Sequence, residues 1–334
     1  MTLSTLTPNA KLRKSSIIDQ ELDRLNIDIA ALQETRLLGF GSVAEKNYTF
    51  FWKGKNDGEK QEHCVAFAVR KSILPFTEPP TDGNKHMISM KLHTNLGVVS
   101  LINIYAPTIQ ASTEEIDVFY TQLDQAVTKI PKSKQLFILG DFNARVGKDV
   151  LSWSPHIGCF GVGKLNSNGR RLLEFTALHN LCINTFYGIS FRRRVSWCHP
   201  RSKDWHQLNH IVTRRSFLSN VSLTRSFHSA DCDTDHAPLC SIVKLKPKKV
   251  HRSKQPGKAR INTSNTINKD KQHKFQSEFQ KNLLNSRHTD NLKWQNISKV
   301  IHSAAIQTFG IQIPKTKDWY VDSATVLNPL RDIK

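Results

Sequence analysis

The 334-residue chain carries 48 lysines and arginines against 28 aspartates and glutamates, a formal charge of +20. An excess of this size points to a polyanionic partner, DNA first and RNA as the alternative, and by itself says nothing about catalysis. No apolar run approaches the roughly 20 residues of a membrane span, and the N-terminus lacks a signal-peptide core, so no membrane association is expected.

Residues 13–26 place Ile17, Ile18, Leu22 and Leu25 at helical spacing. "IDIAALQET" then reads as a buried strand from Ile27 that delivers Glu34 at its end. "CVAFAVR" and "HMISMKLH" are strands, the second with alternating apolar positions. "VVSLINIYAPT" is a buried strand stopped by Pro107, with Tyr105 near its end. "STEEIDVFYTQLDQAVTKI" opens with a capping box, Ser112 and Glu115, and sets Ile116, Phe119, Leu123 and Val127 on one face. Leu136 to Leu139 is a short apolar run bounded by Gly140, followed at once by Asp141 and Asn143. Asn168 is read as the cap of the helix "GRRLLEFTALHN", and short strands end with "APLCSIVKL" near residue 245.

The composition then changes. Residues 244–260 hold eight lysines or arginines and no acid, which reads as a solvated linker. Two amphipathic helices follow, around Phe275 and in "NLKWQNISKVIHSAAIQTFG", and look too small for a core of their own. The expected organisation is a domain over residues 1–245, a basic linker over 246–268, and a short helical, partly disordered extension over 269–334. The cysteines, Cys64, Cys159, Cys182, Cys198, Cys232 and Cys240, form no Cys-x-x-Cys pair and mostly sit among apolar residues. Reduced thiols and a cytoplasmic or nuclear location are expected, and a zinc site is not.

Four strand ends thus export polar side chains: Glu34, Tyr105, Asp141 with Asn143, and Asp235 with His236. Taken singly each has an ordinary explanation, because Asp, Asn and Gly favour turns, Tyr105 could be a core aromatic, and His236 could cap a turn. Taken together they are oxygen donors suited to a hard cation such as Mg²⁺, beside groups that could bind a phosphate and a water.

The wording "LQETR" (32–36), "INIYAPT" (102–108), "GDFNA" (140–144), "NSNGRRLLEF" (166–175) and "TDHAPL" (234–239) resembles the endonuclease/exonuclease/phosphatase superfamily. Within it, "YTFFWKGK" (48–55) and "HPRSKDWHQL" (199–208) are similar to the endonucleases of RTE-type non-LTR retrotransposons and their domesticated relatives. The resemblance covers roughly residues 1–245. It implies an α/β (α+β) four-layer sandwich, two packed and mainly antiparallel sheets flanked by helices, and Mg²⁺-dependent hydrolysis of DNA, with Mn²⁺ as an alternative metal. It further implies that Glu34, Asp141 and Asp235 serve the metal, that Asp141 activates the attacking water with Asn143 beside it, and that Tyr105 and His236 contact the phosphate. Around the cleft it implies nucleic-acid contacts. For these, Asn168 is weighed against a helix cap, Trp197 and Trp205 against core packing, and Arg192, Arg193 and Arg194 against a solvated face.

Two positions depart from the family pattern. Family members open with a core strand worded like Trp-Asn-Val-Arg-Thr-Leu, whereas this chain begins Met1-Thr2-Leu3. A truncated or internally initiated copy, or a missed first exon, is the expectation, and Asn9 is not assigned the missing asparagine's role. Asn209 stands where the family carries an aspartate that holds the catalytic histidine, and an amide offers that ring no charge. No reverse-transcriptase motif follows. The reading is an endonuclease module without its polymerase, with a catalytically weakened nucleic-acid-binding remnant as the alternative and a phosphatase of the same fold behind it. Nothing in the sequence specifies an oligomeric state.

Overall fold

A computed structural model describes residues 14–37, 39–54, 64–81, 83–230, 234–249, 260–286 and 294–312. The N-terminal strand tail, Asn9, Cys232 and much of the basic segment fall outside these residues. The chain divides into two compact units, Met1–Val250 and His251–Lys334.

The first unit is built in four layers. Helix α1 (Lys14–Arg24) covers the outer face of a four-stranded antiparallel sheet. That sheet comprises β1 (Ile29–Leu32), β2 (Phe40–Ala44), β3 (Tyr48–Lys53) and β4 (Val65–Arg70), in the order β1-β4-β3-β2. Its contact with α1 is a core of Ile18, Leu22, Leu32, Tyr48, Phe50, Ala66 and Ala68. Ile17, read as part of the same apolar face, is 40% exposed, because the helix packs through residues four apart, Ile18 and Leu22.

The second sheet comprises β5 (Thr77–Glu78), β6 (Met87–Thr94), β7 (Gly97–Tyr105), β8 (Gln135–Asp141), β9 (Leu181–Ile183) and β12 (Asn209–Arg214). Its order is β5-β6-β7-β8-β12-β9. The two-residue strands β10 (Trp197–Cys198) and β11 (Trp205–His206) form a small hairpin before β12, and β13 (Val221–Ser226) pairs with β14 (Leu239–Val243). β7 and β8 run parallel, so a crossover must join them, and α2 (Thr113–Thr128) supplies it. The Ser112–Glu115 capping box is formed in both directions at the start of α2. Beyond β8 come the single turn α3 (Val150–Trp153) and helix α4 (Ser167–Leu178). The cap of α4 is Asn166, whose side chain accepts from Gly169 N at 2.7 Å, and not Asn168. In "NSNG" either asparagine could cap, and the chain takes the one that leaves Asn168 inside the first turn.

Alternation along the central strands splits their side chains between two cores. Ile102, Ile104, Leu136 and Ile138 meet Phe119, Leu123 and Leu172 under α2 and α4. Leu101, Tyr105, Phe137 and Ile211 meet Val65, Phe67 and Val69 of the other sheet. Cys64 and Cys182 are buried in this fabric, Cys198 and Cys240 are half-buried, and Cys159 is exposed. The second unit contains α5 (Lys269–Ser286) and α6 (Trp294–Phe309), where Phe275 lies against Phe309 at 5.3 Å between ring centres. No helix among the described residues is long and apolar enough to cross a membrane.

Gly140 shows how tightly β8 is held. Its φ is +150°, and a Cβ there would stand 2.0 Å from Ile104 O on β7. Gly140→Ala is expected to destabilise the first unit by about 3 kcal/mol or more, since strain and overlap act together. Urea denaturation checks this; an unchanged midpoint would mean that β7 and β8 can separate at that point.

Candidate active site

Strand register assembles the site. Asp141, at the end of β8, lies opposite Tyr105 on β7 and opposite Asn209 on β12. Asp141 is 4% exposed. Oδ1 accepts from the Asn143 backbone N–H at 2.9 Å, an Asx turn, and Asn143 takes a left-handed φ of +49°. The Asn143 side chain donates to Ala106 O at 2.9 Å, and Phe142 between the two is fully buried. The turn in "GDFNA" therefore does not occupy the whole carboxylate. One carboxylate oxygen is used by the turn, while Oδ2 faces the histidine described below.

Glu34 reaches the same place from the other sheet. It follows the end of β1 in a left-handed conformation, φ +53°, and its Oε1 accepts a hydrogen bond from the Tyr105 hydroxyl. Burial foremost, then the Glu34 carboxylate, pushes the Tyr105 phenol far above its ordinary range, so Tyr105 remains a donor. Burial also raises Asp141. The charge of Glu34 adds to that rise, and His236 together with the Asn143 N–H opposes it.

His236 enters on the loop before β14. Its Nδ1 lies 2.9 Å from Asn209 Oδ1, the geometry of a ring N–H donating to the amide oxygen. Its Nε2 faces Asp141 Oδ2 at 3.8 Å, just beyond hydrogen-bond reach. The loop is tied to the β10–β11 hairpin through Cys198 N donating to Asp235 O and Ala237 N donating to Ser196 O.

The other sequence candidates separate from this group. The Asp235 carboxylate is exposed and accepts from the Trp197 indole N–H at 2.8 Å, which turns it toward the hairpin. Asn168 is 4% exposed and donates to Pro107 O and Asn143 O, so it braces the two loops and does not face solvent. Arg192 and Arg193 are exposed, whereas Arg194 donates to Phe160 O. Trp197 is half-buried, stacks on His206 and lies 6.3 Å from the His236 ring. Trp205, also half-buried, meets His228 edge-on.

Three residues that were not among the sequence candidates hold the site from behind. Ser196 Oγ accepts from Leu208 N and Asn209 N. His210, fully buried on the far face of β12 from Asn209, has Nε2 at 2.9 Å from Ala144 O and Nδ1 at 3.2 Å from Asn184 Oδ1. Asn103, fully buried on β7, bonds to β1 and β4. The alternation of "QLNHIV" indicates that His210 points into the core, but no sequence signal names its partners.

Among the described residues, no three His, Cys, Asp or Glu side chains converge as a metal cage. Glu34 and Asp141 nevertheless fit a hard cation. Both are oxygen donors, their charges repel across the cleft, and Mg²⁺ is commonly held by one or two carboxylates with water completing the shell.

Comparison with known proteins gives a consistent picture. Residues 5–236 match the endonuclease/exonuclease/phosphatase family. Craniofacial development protein 2 of Bos taurus and of Tragulus javanicus are each 31% identical over 245 residues, 73% of this chain. The match covers 40% and 42% of those relatives, so the chain spans about two-fifths of their length. In fold it is similar to the endonuclease domain of TRAS1, a telomere-specific non-LTR retrotransposon, at 14% identity and a TM-score of 0.51, covering 73% of this chain and 96% of that one. It is also similar to the Xenopus laevis APE2 catalytic domain, at 15% identity and a TM-score of 0.52, covering 72% of this chain and 90% of that one.

His210 is expected to make the unit sensitive to acid. Burial pushes its pKa down to about 4, against the hydrogen bond to Ala144, which favours the charged ring. The folded state keeps the ring neutral while the unfolded chain takes up a proton below about 6.5, so stability is full above that pH and falls as pH drops toward 4. The loss is about 3 kcal/mol across that window. His210→Gln keeps a donor for Ala144 O and removes the titration. Its stability should vary much less between pH 6.5 and 4, and an unaltered slope would assign the acid sensitivity elsewhere.

Proposed function

Because the chain belongs to the endonuclease/exonuclease/phosphatase family, we propose that it hydrolyses phosphodiester bonds in DNA as a divalent-cation-dependent endonuclease of the retrotransposon type. The observation that carries this reading is the meeting of Glu34 from one sheet with Tyr105, Asp141, Asn143 and Asn209 from the other and with His236 on the loop before β14. The +20 charge supports a polyanionic substrate, and the exposed Arg192 and Arg193 are available for phosphate contact.

Each group has a part in this reading. Glu34 and Asp141 would hold Mg²⁺ or Mn²⁺, which supplies charge neutralisation for the phosphate. Asp141, held rigid by its turn, orients the attacking water and takes its proton at Oδ2. Tyr105 fixes the Glu34 carboxylate by hydrogen bond. His236 presents Nε2 to the scissile phosphate, where a donated N–H stabilises the developing oxyanion. Asn143 and Asn168 keep the loops around Asp141 in place. Asp235 is left out of the metal set because its carboxylate is engaged by Trp197.

A second reading has its own observation. His236 leans on an amide, Asn209, where a carboxylate would favour the charged ring. A chain retaining nucleic-acid binding with weakened hydrolysis follows from that substitution.

Nicking of supercoiled plasmid in Mg²⁺ tests both. Glu34→Ala and Asp141→Asn are each expected to lower the rate by about 100-fold or more, and Glu34→Ala to weaken Mg²⁺ binding in calorimetric titration. Unchanged Mg²⁺ affinity would remove Glu34 from the site. Asn209→Asp should raise nicking by about tenfold, about 1.4 kcal/mol of transition-state stabilisation. If His236→Ala abolishes nicking while Asn209→Asp leaves it unaltered, the 2.9 Å contact has no catalytic weight. A wild type that binds DNA but nicks only after Asn209→Asp supports the second reading.

A further inference from the structure

Glu34 reaches Tyr105 across the gap between two sheets, and its own strand ends two residues earlier. Something must set the height and direction of that carboxylate. Asn103 stands two residues before Tyr105 on the same face of β7, fully buried between the sheets. Its Nδ2 donates to Leu32 O at 3.0 Å and to Ala66 O at 2.7 Å, and its Oδ1 accepts from Gln33 Nε2 at 2.7 Å. One amide therefore holds the last residue of β1, the facing residue of β4, and the side chain next to Glu34. On the far side of Glu34, Thr35 N donates to Cys64 O at 3.0 Å, and Thr35 is fully buried. Between these anchors Glu34 takes its left-handed φ of +53°, a conformation that a non-glycine residue keeps only when its surroundings impose it.

We propose that Asn103 and Gln33 are positioning residues for the Glu34–Tyr105 pair, an amide clamp that fixes the carboxylate carried by one sheet against the phenol carried by the other. The physical case rests on cost. A buried amide between two apolar faces persists when every polar group is satisfied, and here both carbonyls and the facing Gln33 amide do so. An apolar residue would fill the space but would take the side-chain donor from Leu32 O and Ala66 O and the acceptor from Gln33 Nε2. The clamp gives the proposed active site its geometry, so it rests on that reading of the site, while its own evidence is structural.

The test reads Tyr105 directly. The chain has five tyrosines, so ¹³Cζ-tyrosine labelling of the full chain gives few signals, and the Tyr105 signal is the one lost in Tyr105→Phe. Glu34→Ala defines its position without the carboxylate. In Asn103→Leu and in the milder, half-buried Gln33→Leu, the Tyr105 signal should move toward the Glu34→Ala position. Nicking should fall at least tenfold in kcat, with KM for DNA within twofold. Gln33→Leu guards against misfolding of Asn103→Leu and is compared at matched thermal stability. A Tyr105 signal that stays at the wild-type position in a folded Gln33→Leu, while Glu34→Ala moves it, overturns the clamp. A Glu34→Ala signal identical to wild type overturns the pair itself. Absence of nicking in the wild type would count against the endonuclease reading and would leave the spectroscopic result to decide the clamp.

Discussion

Asp141 is placed by pairing on both sides, parallel to β7 and antiparallel to β12, and that register sets Tyr105 and Asn209 beside it. β8 is buried on both faces, so its pairing cannot slip: a shift of one residue would exchange the side chains facing α2 and α4 with those facing the other sheet. The buried run Leu136–Ile138 thus serves as a ruler. It fixes where a carboxylate emerges, and it brings Tyr105 and Asn209 level with it.

The site concentrates like charge. A nearly buried carboxylate lies close enough to Glu34 to feel its charge, and a histidine 3.8 Å away gives partial relief. Tyr105 and Asn143 add hydrogen bonds that orient both acids without neutralising them. Such an arrangement costs stability and favours binding of positive charge. Asn209 belongs to the same balance. It keeps the His236 ring oriented through Nδ1 but brings no charge to it, so orientation and charge, joined in an aspartate, are separated in this chain.

Elements set by local rules were legible in the sequence. The capping box of α2, the buried runs of β7 and β8, and the strand-end positions of Glu34, Tyr105 and Asp141 all follow from spacing within a few residues. What was not legible depends on distant partners. Asn103 meets Leu32 across 71 positions, and His210 meets Ala144 across 66. No periodicity encodes such pairs, and a buried polar residue in an apolar strand names no partner. Local ambiguity accounts for the rest. "NSNG" offers two caps three residues or fewer from the same glycine, and the direction of Asp235 next to His236 depends on Trp197, 38 positions away.

Among the described residues, the two sheets are consecutive in the chain and not interleaved. Residues 29–70 build one and residues 77–214 the other, with a short 3₁₀ turn, Leu74–Phe76, between them. The protein therefore has a natural breakpoint at that turn. Severed there, each fragment would carry one wall of the inter-sheet core, with Glu34 on the first piece and Tyr105, Asp141 and His236 on the second. The cleft could then be rebuilt in trans only when the pieces reassociate, which makes this sandwich a candidate for a split reporter whose signal is the closing of its own seam.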